Sequence, residues 1–182
     1  MRTLPAFTLA SAVIFSCAPG ASAQSNIALG RPYTLSPRPN YSLTTDVGDD
    51  TQLTDGVYTT NNPIWTRTST VGWSGASPVV IVIDLQSIQP IAGVSYSTAA
   101  GSAGVTWPRS VFVLTSDDGV RYFPAADLVA TSANAPSSGY AALRFSTRAL
   151  RTHGRYVAVV VDPNGGPYVF CDEIEVAGGD AG

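Results

Sequence analysis

The residues of this chain whose types suit a metal ion lie far apart in sequence. Asp55-Gly56 falls in QLTDGVYTTNNPIW, from Gln52 to Trp65, and the pair predicts a tight turn, because glycine adopts positive φ without steric cost. The carbonyls flanking such a turn can face a hard cation. Near the other end, Asp172-Glu173 lies in VFCDEIEV, from Val169 to Val176, an otherwise largely apolar strand. Calcium takes about six to eight oxygen ligands, so one of these carboxylates reaching the turn would tie the two ends of the domain together. Asp46, Asp49 and Asp50 form another acidic group, but they lack the regular D-x-D-x-D-G order of a calcium loop and read as a solvated acidic loop.

Sugar recognition asks for other residues: an aromatic face for the C–H side of the ring and planar hydrogen-bonding groups for its hydroxyls. Tyr33, Tyr41, Trp73, Trp107, Arg109 and Tyr168 fall in segments read as loops, with Asn40, Asn62 and Asn164 as polar partners. Trp73 stands in VGWSG, which predicts a pliable, exposed loop, and an exposed tryptophan marks an interaction surface. Trp107 precedes Pro108. It either plugs one end of the domain or offers a platform, and the sequence leaves both open.

Catalysis has little to work with. The one histidine, His153 in RTHG, suits an exposed turn before a strand, and neither G-x-S-x-G nor H-E-x-x-H occurs. Asp172 and Glu173 are adjacent on a strand, so they are expected to point to opposite faces, a poor arrangement for paired-carboxylate glycoside hydrolysis. The expectation is a protein that is not an enzyme.

Composition sets the compartment. Arg2, an apolar run from Leu4 to Ala18 and then Ala21-Ser22-Ala23-Gln24 have the order of a secretory signal peptide over residues 1–23 with an A-x-A cleavage site. The run is short for a membrane span, so no transmembrane segment is expected in the mature chain. A lipoprotein signal ending at Cys17 is the competing reading, but Phe15 is bulky for that site. The destination is secreted, periplasmic or cell-surface. After cleavage nine arginines and no lysine face thirteen acidic residues, a net charge near −4. No basic stripe exists for a phosphate backbone, so nucleic acid is not an expected partner. Only Cys171 survives, which excludes an intrachain disulfide and reads as a small buried residue.

The positioning elements all read as strands. Val79 to Leu85 (VVIVIDL) is a β-branched run expected to be buried on both faces or nearly so, with Ile91 to Thr98 as its neighbour. Ser110 to Ser116 follows, then a turn at Asp117-Asp118-Gly119 leading into Val120 to Phe123. Residues 124–139 are rich in Ala, Ser and Pro and hold a helical turn or a linker. Tyr140 to Thr147, Arg155 to Asp162 and Val169 to Val176 complete the set. Such short strands with turn-rich connections indicate one all-β domain over residues 24–178, an antiparallel jelly-roll β-sandwich, with residues 179–182 as a tail or the start of a linker.

The order of motifs resembles a known family. Asn26-Ile27-Ala28 with Gly30, Leu53-Thr54-Asp55-Gly56, Trp65, Ile83-Asp84-Leu85, Ser116 to Gly119 with Tyr122, Arg155-Tyr156-Val157 and Glu173 to Val176 are similar to the discoidin domain (coagulation factor V/VIII C-terminal type) of the galactose-binding-like superfamily. The likeness is greatest to bacterial family-32 carbohydrate-binding modules. It implies a jelly roll with a structural calcium and a sugar site on loops at one end. By that resemblance the Asp55 side chain, carbonyls near Leu53 and Val57, an oxygen of Thr60, the Asp172 carbonyl and the Glu173 carboxylate form the cage, and Trp65 packs into the sandwich. Trp73, Trp107, Arg109, Tyr41, Tyr168 and Asn164 are the candidate sugar residues, with Trp73 foremost. Two departures stand out: Gln86 replaces the usual glycine after the Asp-Leu pair, and the gap from Asp55 to Trp65 is long. The absence of bracketing cysteines points to the sugar-binding branch, so the expected partner is a glycan or polysaccharide. An extracellular protein held by the same loops is the alternative.

Overall fold

The computed structural model describes residues 24–132, 135, 136 and 138–179. The expected signal peptide with Cys17, and the tail beyond Gly179, lie outside the described residues. Among the described residues nine strands form: β1 (Tyr33–Ser36), β2 (Val71–Ser74), β3 (Val79–Ala100), β4 (Ser110–Ser116), β5 (Phe123–Asp127), β6 (Ala141–Thr147), β7 (Thr152–Asp162), β8 (Tyr168–Cys171) and β9 (Glu173–Gly178). All pairings are antiparallel. The α-helix among the described residues is one turn, α1 (Leu128–Thr131), which Asp127 caps by accepting from Val129 N. No described helix is long and apolar enough to cross a membrane.

The long strand β3 organises both layers. Its first part lies between β1 and β7, in the order β1-β3-β7-β4-β5, and its second part pairs with β6 on one side and β9 on the other. Val79 to Leu85 and Ile91 to Thr98 are therefore one bent strand that crosses between layers, and not hairpin neighbours. The bend falls where register shifts between Asp84 and Gln89. Gln86 there takes φ +70°, the left-handed region that favours glycine, which is where the resemblance expects one. The strain is offset by Gln86 N donating to Asp84 Oδ1 at 2.7 Å and by an Arg31 guanidinium bond to the Gln86 side chain. The first part alternates, with Ile81 and Ile83 buried and Val80 and Val82 half-buried, so it is not covered on both faces; from Ile91 to Ala100 every residue is buried.

Between the layers lie Trp73, Ile81, Ile83, Tyr96, Val113, Phe145, Val159 and Ile174. Burial of a large apolar side chain contributes about 1.5–3 kcal/mol, and Cys171, the one cysteine among the described residues, is free and buried in this interior. The Tyr96 hydroxyl, fully enclosed, donates to the Phe170 carbonyl at 2.9 Å.

The described ends close on each other. Ile27 N donates to Val176 O at 2.8 Å and Gly178 N to Ser25 O at 3.0 Å. Asn26 Oδ1 accepts from both Ala28 N and Val176 N at 3.1 Å. Gly179 N also donates, to Pro90 O at 2.9 Å, so the expected tail is tied to the bend of β3 at its first residue.

Candidate functional site

The register brings the candidate sugar residues other than Trp73 to one end of the sandwich. Val79 sits opposite Val161, Ser110 opposite Asp162, Ala100 opposite Ala141 and Ser74 opposite Tyr168. The loops leaving these positions, with described residues 101–109, 135, 136, 138–140 and 163–167, therefore gather beside one another. They enclose a second apolar cluster in which Ile64, Trp65, Val105 and Phe170 are buried and Tyr41, Trp107, Tyr140 and Tyr168 are half-buried.

Trp107 and Asn164 line one open groove of about 430 Å³ together with Gly101, Ser102, Thr106 and Pro136. The indole of Trp107 is fixed on one side: Nε1 donates to Pro136 O at 2.9 Å, and its ring meets Phe145 edge-on at 5.8 Å. It thus closes the end of the core, as a plug would, and also walls the groove. Asn164 adopts φ +56° at the turn, and its N–H is held by Asp162 Oδ1 at 3.0 Å. Arg109 Nε donates to Asp162 Oδ2 at 3.0 Å, which keeps the Asp162 carboxyl below its usual range. Arg109 therefore fixes the turn that carries Asn164 and is not among the groove's lining residues.

Tyr41 and Tyr168 meet edge-on at 5.5 Å, and Phe170 lies against both. Trp65 is in the core, as the resemblance implies, between Phe170 and Tyr140. Tyr140 is the residue that sequence reasoning missed. Its ring sits edge-on to Trp65 at 5.2 Å and its hydroxyl donates to Asn62 Oδ1 at 2.9 Å. Read as the first residue of a strand, it stands one position before β6; an aromatic at a strand's loop end was the available signal.

Trp73 is not exposed. It lies on β2, paired with Val169 of β8, has 0 % exposure, and donates from Nε1 to Pro37 O at 2.8 Å. The flanking glycine that read as pliability serves packing. A Cβ on Gly72 would lie 2.5 Å from Thr44 Oγ1 and 2.8 Å from a Phe170 ring carbon, so only glycine lets the strand approach this closely. Trp73 is core and drops out of the site. Asn40 is structural as well, bonding Ser74 through both its side-chain atoms. Tyr33 is held by bonds to Asp49 O and Leu53 N.

The second region is the turn at Asp55-Gly56. Gly56 takes φ +80° as expected. Glu173, with 0 % exposure, receives Gly56 N on both carboxylate oxygens at 3.2 Å, and Asp172 Oδ2 accepts from Thr59 N at 2.8 Å. The expectation of opposite faces fails because the chain bends at Asp172, between β8 and β9, so both carboxylates hold the same segment. Asp55 is exposed and caps its own turn, Oδ1 accepting from Val57 N at 2.7 Å. Leu53 is buried, while Val57 and Thr60 are exposed.

A cation fits this donor set in two respects. Asp172 Oδ1 is buried without a hydrogen-bond partner, and such an orphan calls for water or an ion. Burial pushes the Glu173 carboxyl up from 4.5 to about 8, with Asp55, Glu175 and Asp172 adding repulsion, against the lowering bond from Gly56. Among the described residues no three acidic, histidine or cysteine side chains converge as a ready-made metal cluster, so such an ion would draw on backbone oxygens. The group at Asp46 to Asp50 is not simply solvated: Asp49 is buried, which raises its carboxyl to about 6. His153, on β7, is exposed and lies 3.5 Å from Asp117.

No family model matches the sequence, and no curated protein sequence is similar to it. Solved structures are. A fucose binding module of Streptococcus pneumoniae is 19 % identical over 87 % of this chain and 99 % of its own, with a TM-score of 0.55. A chitosan-binding module derived from a chitosanase/glucanase of Paenibacillus sp. IK-5 is 21 % identical over 86 % and 100 %, with a TM-score of 0.52. A fucolectin from striped bass (Morone saxatilis) serum is 14 % identical over 86 % of this chain and 49 % of its own, with a TM-score of 0.59. The antiparallel architecture and its closed ends, together with these likenesses across nearly the whole described chain, show that it shares the antiparallel β-sandwich fold of these solved structures.

Proposed function

We propose that this chain is an exported, non-catalytic carbohydrate-binding module whose glycan site is the groove beside Trp107, with a calcium ion reinforcing the turn at Asp55-Gly56. The observation that carries the reading is the immobilised, half-buried indole of Trp107 walling an open groove with Asn164 and Ser102 as polar neighbours. An aromatic face with a few convergent polar groups suits a sugar ring. The similar solved structures are named for binding fucose and chitosan, which supports the ligand class and leaves the sugar open. Asp172 and Glu173 both hold backbone N–H groups of the turn, a structural use that speaks against catalysis.

The Glu173 carboxylate and the Asp55 side chain, with the Asp172 carbonyl and oxygens near Leu53, Val57 and Thr60, are the groups that would hold calcium. The ion would supply positive charge to carboxylates that burial otherwise disfavours. Export through residues 1–23 predicts that protein recovered outside the cytoplasm begins at Gln24.

A glycan microarray probed with the labelled domain in calcium tests the function. Retention on a defined glycan set, lost on Trp107→Ala, is expected. No retention on any glycan, with one stoichiometric protein co-purifying regardless of free sugar, would replace this reading with a protein-interaction module.

A further inference from the structure

A second concave surface lies on the outer face of the β1-β3-β7 layer, away from the loop groove. Along β3 and β7 the side chains alternate, so Val82, Asp84 and Tyr156 face outward while Ile83 and Val157 are buried. The segment after β4 then folds back over this face. Its turn is fixed by Asp118, whose Oδ1 accepts from Val120 N at 2.8 Å, Arg121 N at 2.9 Å and Ser116 Oγ at 3.0 Å. Gly119, at φ +73°, lets the turn lie against the Tyr156 ring, since a Cβ there would sit 3.1 Å from a ring carbon. The result is a three-sided cleft of about 490 Å³ with Val82 and Tyr156 as floor, Thr34 on one wall, and Asp118 and Tyr122 on the other.

The lining has the chemistry of a sugar site. Tyr122 and Tyr156 are half-buried and line the same cleft, and half-buried tyrosines offer an apolar face and a polar tip together. Asp118 is held in place through one oxygen, which leaves Oδ2 without any of the turn's bonds. Those bonds, from Arg121 and Val120 first, keep its carboxyl below the usual range, so it is an ionised acceptor. At the cleft's end Asp84 is occupied by Arg155, which donates from Nε at 2.8 Å and Nη2 at 2.7 Å, and the Arg155 guanidinium lies 4.9 Å from the Tyr156 ring centre. That pair is neutral and pins the Tyr156 ring. The volume falls within the range of about 300–1,000 Å³ found for small-molecule sites.

We propose that this cleft is a second carbohydrate site, in which a pyranose ring packs on Tyr122 and Tyr156 and a hydroxyl or amino group of the sugar donates to Asp118 Oδ2. It stands apart from the groove at Trp107, since the loop groove caps the strand ends at Ala100 and Asp162, whereas the cleft sits over Asp84 and Tyr156 on the face of the sheet. The two sites therefore stand or fall separately.

Amide-resolved NMR titration of the calcium-loaded domain with L-fucose, galactose and chitohexaose tests it. The expected result is saturable shifts at Thr34, Gly119 and Tyr156, with an affinity distinct from any seen at Ser102 to Trp107. Thr34→Arg, an exposed position on β1 that would fill the mouth, and Tyr122→Ala should each weaken this set by at least about tenfold, equivalent to 1.4 kcal/mol, and leave the Trp107 set in place. Chitohexaose bound more tightly than the neutral sugars would identify the amino group or chain length as the recognised feature. Shifts confined to Ser102–Trp107, or cleft shifts unchanged in both variants, would overturn the second site and leave the first. Absence of shifts with all three sugars would overturn both.

Discussion

Glu173 offers a test whose sign can be worked out before any measurement. Its carboxyl is wholly buried and raised to about 8, chiefly by desolvation and then by neighbouring carboxylates, whereas in the unfolded chain it titrates near 4.5. Between those values the folded, metal-free protein holds a proton that the unfolded chain has released. Stability therefore falls as pH rises through that window, because the slope follows the proton difference between the unfolded and native states. The full change from about pH 4.5 to pH 8 is on the order of 4 kcal/mol. Asp49, raised to about 6 by burial, adds a smaller loss of the same sign below pH 6. If calcium binds the ionised carboxylate as proposed, it displaces the proton, so its stabilising effect should grow with pH and offset part of this loss, reaching about 2.7 kcal/mol at a hundredfold excess over Kd. Urea unfolding from pH 5 to pH 8.5, in chelator and in calcium, provides the assay. Glu173→Gln should flatten the chelator curve and abolish the calcium response. A chelator curve that is level or rises from pH 5 to pH 8 would refute the reasoning. Identical curves with and without calcium would remove the ion from the account.

Other outcomes follow from packing. Trp73→Ala removes a fully buried indole and the bond to Pro37 O, so it should lower stability by about 3–5 kcal/mol in a denaturant titration; Trp65→Ala should fall in the same range. Gly72→Ala, which must displace Thr44 or the Phe170 ring, should cost about 1–3 kcal/mol and show as a lowered melting temperature. Cys171, buried and with its thiol pushed well up by desolvation, should react with a thiol reagent only at the rate of unfolding. Gln86→Gly relieves a left-handed backbone worth about 1–2 kcal/mol but loses the Arg31 bond, so its melting temperature should stay within a few degrees of the parent.

Much of this architecture was legible because it is written in local pattern. The β-branched runs at Val79 and Arg155 announce strands, and Asp55-Gly56 announces its turn. The tie from that turn to Glu173 was also readable, since a carboxylate on an apolar strand needs a partner. What escaped depends on contacts between distant segments. The bend that sends β3 from one layer to the other rests on Gln86 in a conformation its side-chain type does not advertise. Gly72 and Gly75 look the same in sequence, yet one is wedged against Phe170 and the other has open space around it, and only that difference separates a core tryptophan from an exposed one. Asp172 was misjudged for a similar reason: strand alternation holds within a strand, and the chain breaks its strand at that residue. Trp107 and Asn164 were candidates for their chemistry, but their meeting across one groove required the register of four strand pairs.

Trp107 is the proposed glycan platform at the loop end. An equilibrium titration of the strongest microarray glycan against the parent domain, Trp107→Ala and Asn164→Gly tests this most directly, the glycine preserving the left-handed backbone at that turn. With each variant shown to be folded by its melting transition, Trp107→Ala should bind at least about tenfold more weakly and Asn164→Gly measurably more weakly, a loss of about 1.4 kcal/mol or more for the tryptophan. Parent-like affinity in both variants would contradict the assignment.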